Sequence, residues 1–144
     1  MIVSFRGDFY FLSNFYHCKV TYNGITYGNN EAAFQAQKQL SRSKEFEHLP
    51  PNSAKRLGRR VKLRKDWEEV KDQIMYEIVK CKFTQNLDLN QKLLDTNDEE
   101  LIEGNNWNDR YWGMVFKEHT GWIGENKLGK ILMRVREEIK EDNK

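Results

Sequence analysis

The sequence predicts an α+β fold, a single compact helix-rich domain with a small, mostly antiparallel sheet. Three observations lead to this class. A length of 144 residues suits one domain. Alternating apolar residues around an Asn-Gly pair indicate a β-hairpin, and later segments carry apolar residues at helical spacing. The strands precede and interrupt the helices without βαβ alternation. We expect residues 1–144 to form this domain and residues 138–144 to be a polar tail.

The strand signals are strongest near the amino terminus. Residues 2–5 form a short apolar stretch that predicts a strand. In residues 18–27, two alternating segments flank Asn23 and Gly24, the residue pair preferred in a two-residue type I′ turn. The segment is therefore predicted to be a β-hairpin.

Helix signals follow the hairpin. Asn29 and Asn30 are candidate caps for a helix over residues 31–40, which contains good helix formers and no breaker. Residues 41–51 are expected to form a loop or short helix that ends at the Pro50–Pro51 pair, and Ser53 is a candidate cap for a short helix.

A longer helix is predicted after Asp66. Glu69 follows Asp66 by three residues, an approximate capping box. Between residues 67 and 83, apolar residues recur at a spacing that places them on one face wide enough to contact a core.

The remaining chain mixes loops with short elements. We expect a helix at residues 89–94, a strand at residues 101–102 and another at 114–116. Residues 121–129 are expected to be a loop, and Asn126 is a candidate cap for the last helix.

Composition excludes several protein classes. Aromatic residues make up 12% of the chain and the net charge is +2, which argues against disorder. No apolar run approaches the length of a membrane span, and the amino terminus lacks the pattern of a signal peptide. Cys18 and Cys81 are far apart and have no metal-binding spacing, so they are expected to be free thiols of a cytoplasmic protein.

The charge is unevenly distributed along the chain. Residues 1–80 hold 14 basic and 9 acidic residues, whereas residues 81–144 hold 10 and 13. Seven of the eleven residues in 55–65 are Lys or Arg. This basic stretch is either a surface for phosphate or nucleic acid or an ordinary solvated face.

Common catalytic motifs are absent from the sequence. It has no phosphate-binding glycine loop, no nucleophile elbow and no zinc-protease motif. His17, His48 and His119 have no metal-ligand spacing. We therefore expect no metal site.

Two groups of polar residues are candidates for chemistry. Glu31, Gln35 and Lys38 share one face of a predicted helix, although Glu31 is equally explained as a favourable charge at the helix start. Asp109 lies between Trp107 and Trp112 in a glycine- and asparagine-rich loop. The alternative is that both tryptophans fill the core and Asp109 caps a turn.

Six motifs along the chain resemble those of the YbiA/NADAR family, and they occur in the family's order between residues 12 and 137. They are LSNF (12–15), GNNEAAFQAQK (28–38), AKRLGRR (54–60), a W-x-x-V-K-x-x-x-M helix (67–75) followed by KFTQN, LLDTNDEELIEGNNWNDRYWG (93–113) and GENKLGKILMRVRE (124–137).

The resemblance implies an N-glycosidase with a YbiA-like fold and no metal or organic cofactor. The implied substrate is an amino-pyrimidine intermediate of riboflavin biosynthesis, cleaved at its C–N bond to a ribose 5-phosphate moiety. Other family members remove ADP-ribose from derivatives that include ADP-ribosylated guanine. Nucleic acid is a partner only in that second case, and no membrane partner is implied.

The resemblance also assigns residues by motif. It implies that Glu31 is the chief catalytic carboxylate and Asp109 the second one. The substrate-binding residues it implies are Asn14, Lys38, Gly58, Arg59, Trp67, Trp112 and Asn126. Ala32 and Ala33 depart from the family pattern, in which a His or Thr and an aromatic residue are common, so a wider pocket edge is expected.

Two readings without catalysis stay open on the sequence. One is a module that binds ADP-ribose or a nucleotide, and the other is a nucleic-acid-binding domain that uses residues 55–65. The oligomeric state is not readable from the sequence.

Overall fold

Five α-helices and two β-hairpins make up the regular structure of the chain, described here for residues 1–144 from a computed structural model. The contacts divide the chain into two compact units, residues 14–89 and residues 1–13 with 90–144. The helices are α1 (Asn30–Gln35), α2 (Pro51–Gly58), α3 (Trp67–Gln85), α4 (Leu87–Leu94) and α5 (Lys127–Asp142). The strands are β1 (Val20–Tyr22), β2 (Ile25–Tyr27), β3 (Val115–Lys117) and β4 (Gly121–Ile123).

The first hairpin forms where the sequence predicts it. β1 and β2 pair antiparallel, with Val20 opposite Tyr27. Asn23 and Gly24 have φ values of 49° and 82°, as a type I′ turn requires. The prediction for residues 18–27 is confirmed.

Helix α1 begins as predicted but ends early. The Asn29 side chain accepts a hydrogen bond from the Ala32 amide at 2.8 Å, a regular amino-terminal cap. The prediction that the helix extends to residue 40 is wrong, since a 3₁₀ turn (Ala36–Lys38) and a further 3₁₀ segment (Leu40–Phe46) follow Gln35. The Gln37 side-chain amide donates to the Ala33 carbonyl at 2.8 Å, and the Lys38 carbonyl accepts a hydrogen bond from the Arg64 backbone amide.

Two other helix starts differ from the predicted ones. Helix α2 begins at Pro51, two residues before Ser53, because proline at the first helical position needs no amide partner. Asp66 precedes α3, but its side chain makes no cap. Its carboxylate instead accepts two bonds from the Arg64 guanidinium, at 2.6 and 3.1 Å.

Helix α3 forms the centre of the unit of residues 14–89. Its predicted apolar face is confirmed, with Ile74, Met75, Ile78, Val79 and Phe83 all buried. Helix α1 and strand β1 both pack on this helix, and α1 also packs on α2.

The second unit is held together by short pairings and α5. The strands predicted at residues 2–5 and 101–102 reduce to a single bridge between Ile2 and Leu101. The stretch of residues 121–129 was expected to be a loop, but Gly121–Ile123 forms β4, which pairs antiparallel with β3. β3 starts one residue later than predicted.

Helix α5 buries one face and reaches almost to the chain end. Leu128, Leu132, Val135 and Ile139 are buried along it, as the sequence predicts. The helix continues to Asp142, so most of residues 138–144 are helical and Ile139 is part of the packed face. The predicted helix-rich α+β class with small antiparallel sheets is confirmed, and the strands come as two separate hairpins.

Candidate active site

The Glu31 carboxylate lies in the first turn of α1 with only 8% of the residue exposed. Its backbone amide donates to the Asn14 carbonyl at 3.1 Å. The Gln35 Nε2 donates to Glu31 Oε1 at 3.1 Å, across one turn of the helix. The backbone of Glu31 is therefore fixed by Asn14, and its carboxylate is fixed by Gln35 on the same helix face.

Asn14 is itself fixed by two buried contacts. Its Oδ1 accepts a hydrogen bond from the Asn30 side-chain Nδ2 at 3.3 Å, and its Nδ2 donates to the Met75 sulfur at 3.5 Å. Asn14 thus connects the segment before the hairpin to the start of α1 and to the buried face of α3.

The side chain of Gln35 is only partly hydrogen-bonded. Its Oε1 is buried without a hydrogen-bond partner, and Gly58 lies directly against it. A Cβ at Gly58 would approach this oxygen to 2.0 Å, so any larger residue there would displace the Gln35 side chain. The close approach of α2 to α1 and the donation to Glu31 together fix the Gln35 amide.

An aromatic pair and a cation lie beside the carboxylate. The rings of Phe34 and Trp67 are 5.0 Å apart between centroids, and the Lys38 ammonium lies 5.8 Å from the Trp67 centroid. Trp67 is 6% exposed, so it is mostly buried.

The electrostatics around Lys38 show which charges share this region. Burial lowers the pKa of Lys38, the Glu31 carboxylate opposes that effect, and Arg59 and Lys55 add to it. Lys55 Nζ in turn lies 5.6 Å from the Phe15 ring centroid. One carboxylate and two other cations therefore act on the Lys38 ammonium.

Six of the nine predicted site residues come together in the unit of residues 14–89, and with Gln35 and Lys55 they form what we call the Glu31 group. The group consists of Asn14, Glu31, Gln35, Lys38, Lys55, Gly58, Arg59 and Trp67.

Asp109 lies in the other unit and organises its loop. Its Oδ1 accepts from the backbone amides of Tyr111 and Trp112, both at 3.0 Å. The Asn105 Nδ2 donates to the Asp109 carbonyl at 2.8 Å, and the Asn105 Oδ1 accepts from the Asp109 backbone amide at 2.9 Å. The turn-capping alternative for Asp109 is thus observed, and its catalytic role stays a prediction.

The two tryptophans of this loop differ in environment. Trp107 is 56% exposed, so it does not fill the core. Trp112 is half-buried, and its ring meets Tyr111 edge-on at 4.9 Å.

Asn126 is a buried clamp rather than a side-chain cap. It adopts a left-handed conformation with φ of 51° just before α5. Its Oδ1 accepts from the Glu103 amide at 3.0 Å and its Nδ2 donates to the Leu101 carbonyl at 2.9 Å. Asn126 is thus the N-cap residue of α5 as predicted, but its side chain does not cap the helix, because both of its ends bind the segment of residues 101–103.

Comparison with known proteins decides the family. The family model described as "NADAR domain" matches residues 4–140. The chain belongs to the NADAR family. The N-glycosidase YbiA of Escherichia coli (strain K12) is 39% identical over 138 residues, which cover 92% of this chain and 81% of that protein.

Two further NADAR comparisons set the range of the match. The NMR structure of E. coli YbiA superimposes with a TM-score of 0.82 at 35% identity, covering 99% of this chain and 87% of that one. The "Riboflavin biosynthesis protein VVA0006" of Vibrio vulnificus (strain YJ016) is 38% identical over 136 residues. The match covers 91% of this chain but only 36% of the Vibrio protein. These relatives support the predicted enzyme class, a hydrolase acting on N-glycosyl compounds.

The sequence missed part of the Glu31 group. Lys55 is four residues before Arg59 on the same helix face, a spacing that could have indicated it. Gln35 was placed on the Glu31 face but not assigned to the site. Ala32 and Ala33, which depart from the NADAR pattern, are fully buried and contribute no exposed pocket edge.

The structure contains neither a metal-binding cluster nor a helix that could span a membrane. No set of three or more His, Cys, Asp or Glu side chains is arranged to hold a metal ion. None of the helices combines the length and apolar character needed to cross a membrane.

Proposed function

We propose that this NADAR protein hydrolyses the C–N bond between a ribose 5-phosphate moiety and an amino-pyrimidine intermediate of riboflavin biosynthesis. The observation that carries the proposal is the Glu31 group, in which a buried, hydrogen-bonded carboxylate faces a set of cations.

The carboxylate suits the charge that develops in glycosidic cleavage. The transition state resembles an oxocarbenium ion, with positive charge at C1′ of the sugar. A carboxylate held in a mostly buried position acts on such a charge more strongly than one in water. Glu31 is 8% exposed and is oriented by Gln35 and by its own backbone bond to Asn14.

The cations suit a phosphorylated sugar. Arg59 and Lys55 both lower the pKa of Lys38, because their positive charges repel its ammonium. A phosphate among them would relieve this repulsion and accept hydrogen bonds from all three. The 5-phosphate is therefore assigned to Lys38 and Arg59, with C1′ toward Glu31.

The bond-breaking step follows from these assignments. The C1′–N bond breaks, and its electron pair goes to the nitrogen of the leaving amino-pyrimidine, which takes up a proton. Glu31 stabilises the positive C1′ and accepts a proton from the attacking water. It then gives up that proton, directly or through solvent, which balances the proton taken up by the leaving nitrogen and restores the carboxylate. The water oxygen bonds to C1′, and the products are ribose 5-phosphate and the free pyrimidine.

The choice of substrate class rests on the relatives. YbiA is named an N-glycosidase, and the Vibrio relative is named a riboflavin biosynthesis protein. Both names agree with a phosphorylated riboside of that route, in which the leaving group is an amine on a planar ring.

A parallel assay tests the substrate. The protein is incubated with the phosphorylated pyrimidine intermediates of riboflavin biosynthesis and, separately, with ADP-ribosylated guanosine. We expect release of ribose 5-phosphate from the first set. Release of ADP-ribose alone would replace the proposed substrate, and tight binding of ADP-ribose with no product from either would indicate a binding module.

A matched pair of variants tests the phosphate assignment. Arg59→Ala is expected to raise KM for the phosphorylated substrate about tenfold or more, since charge-assisted hydrogen bonds contribute about 1.5–3 kcal/mol. Arg60 is the adjacent exposed arginine and does not act on Lys38. Equal KM values for Arg59→Ala and Arg60→Ala would remove Arg59 from the site.

A further inference from the structure

A cavity lies entirely within the unit of residues 1–13 and 90–144. It has a volume of about 500 Å³, within the roughly 300–1,000 Å³ typical of ligand pockets. Its lining includes Arg6, Gly104, Asn106, Phe116, Lys117 and Trp122. We call it the Phe116 cavity, and it contains no residue of the Glu31 group.

One wall of the Phe116 cavity is an aromatic pair. Phe116 and Trp122 face each other across the β3–β4 hairpin, with their ring centroids 5.4 Å apart and an interplanar angle of 68°. Phe116 is 57% exposed although it is a large apolar residue. An exposed ring of this size contributes little to the core, so its surface is available to a ligand.

Gly104 lies against the Trp122 ring at this cavity. Gly104 is bridged to Met114, and a Cβ at this position would lie 2.1 Å from the Val3 carbonyl and 3.0 Å from the Trp122 ring. Any larger residue would displace the ring or the backbone. The glycine therefore allows the indole to lie close to the backbone beside the cavity.

The cavity is positively charged in an acidic unit. Its unit carries 10 Lys and Arg against 13 Asp and Glu, yet no carboxylate lines the cavity. Arg6 and Lys117 both line it, are exposed and form no ion pair with another residue. Two uncompensated cations at one cavity favour an anionic ligand.

The side-chain amide of Asn106, which lines the cavity, has no hydrogen-bond partner within the protein. The neighbouring Asn105 uses both ends of its side chain within the loop. Asn106 is exposed and makes no side-chain hydrogen bond. It can donate to and accept from the polar edge of a heterocycle.

We propose that the Phe116 cavity binds an aromatic base that carries a phosphate, with the base against Phe116 and Trp122 and the phosphate at Arg6 and Lys117. Aromatic side chains bind bases of any sequence through their faces, and Lys and Arg supply the contacts to phosphate. The source is either a free nucleotide or a nucleotide within a single strand. The proposal does not depend on the proposed hydrolysis, because the two sites share no residue.

An amide-resolved NMR titration of the native chain tests the proposal. AMP is the probe, with adenosine and inorganic phosphate as partial ligands. The largest shifts are expected at the Trp122 indole and at the amides of residues 104–106 and 115–117, with weaker effects from either partial ligand. The proton signals of AMP itself show whether it stays intact.

Matched variants locate the binding. Phe116→Ala and Lys117→Glu are each expected to weaken binding about tenfold or more. Lys130→Glu is the control, since Lys130 is an exposed lysine of the same unit that does not line the cavity. The same series with a single-stranded oligonucleotide separates the sources, because tighter binding of the strand than of AMP identifies a nucleic acid.

Three results would overturn the proposal. One is the absence of shifts at the cavity with both AMP and the oligonucleotide. Another is confinement of the shifts to the Glu31 group. The third is an equal loss of binding in Lys130→Glu and Lys117→Glu.

Discussion

Gln35 donates a hydrogen bond to the Glu31 carboxylate while its own side-chain oxygen has no hydrogen-bond partner. Its Nε2 serves Glu31, and its Oε1 is buried without a partner. A buried unpaired acceptor costs about 1–3 kcal/mol. Such local costs concentrate at functional positions, which agrees with a catalytic role for Glu31.

The Gln35→Met variant separates function from stability at this residue. Methionine has a similar length, removes the donor to Glu31 and also removes the unpaired oxygen. These two effects oppose each other, so the free energy of unfolding is expected to change by less than about 1 kcal/mol. We expect kcat/KM to fall about tenfold. Denaturant unfolding and steady-state kinetics measure both, and a loss of stability with unchanged kcat/KM would contradict the assignment.

Lys82 is the second residue with a telling environment. It is 1% exposed on the buried face of α3, with the Phe83 and Tyr16 ring centroids 5.1 and 5.5 Å from its ammonium. Burial lowers the pKa of Lys82 to about 8, and Cys18 partly opposes that effect.

This pKa predicts a pH dependence of stability. Between pH 8 and the ordinary lysine value of 10.5, the unfolded chain binds the proton and the folded chain does not, so Lys82 makes stability rise with pH. Lys82→Met lacks this gain. Its free energy of unfolding relative to the native chain is therefore expected to fall by about 2 kcal/mol from pH 7 to pH 10. A difference that is the same at both pH values would show that Lys82 is not a perturbed group.

At the scale of elements, the packing of α2 against α1 depends on Gly58. An alanine Cβ would meet the Gln35 side chain at 2.0 Å, and the nearby Gln35 Cβ is at 3.3 Å. Gly58→Ala is expected to destabilise the protein by about 1–3 kcal/mol and to lower activity, because Gln35 must move from Glu31.

Gly28→Ala is the matched control for that change. A Cβ at Gly28 meets only the His17 ring, at an ordinary 3.8 Å. Its free energy of unfolding should stay within about 0.5 kcal/mol of the native value. Thermal unfolding compares the two variants, and equal stability would show that the α1–α2 contact is not tight.

The elements that sequence predicts well are those with local causes. The Asn23-Gly24 turn sets its own hairpin, and Asn29 caps α1 by its own side chain. The end of α1 at Gln35 could not be predicted, since it depends on the distant Arg64 amide bonding the Lys38 carbonyl. Arg64 also binds the Asp66 carboxylate, which therefore does not cap α3 as predicted.

The candidate site divides in the same way. Glu31, Gln35 and Lys38 share a face that helical spacing already indicates. The approach of Gly58 to Gln35 and the contact of Asn14 with Met75 join positions 23 and 61 residues apart. No local pattern predicts these contacts, and only the family resemblance indicated Gly58.

At the scale of the whole molecule, the near-neutral charge conceals two opposite halves. The unit of residues 14–89 carries 14 basic and 9 acidic residues, and the other unit carries 10 and 13. The basic excess belongs to the unit that contains the Glu31 group, which favours the proposed phosphorylated substrate.

We propose that the two units unfold as one domain, because the NADAR match spans residues 4–140. Labelling with 5-fluorotryptophan tests this, since Trp67 reports on one unit and Trp107, Trp112 and Trp122 report on the other. The four fluorine signals are expected to disappear at the same urea concentration. A separate midpoint for Trp67 would show two independently stable units.

The most direct test of the proposed function is the turnover of Glu31→Gln, which keeps the shape of the side chain and removes its charge. Glu137→Gln, an exposed position on α5, is the matched control. With a native-like amide spectrum, Glu31→Gln is expected to release ribose 5-phosphate roughly 100- to 10,000-fold more slowly, and the control at the native rate. A folded Glu31→Gln protein with near-native turnover would contradict the central claim.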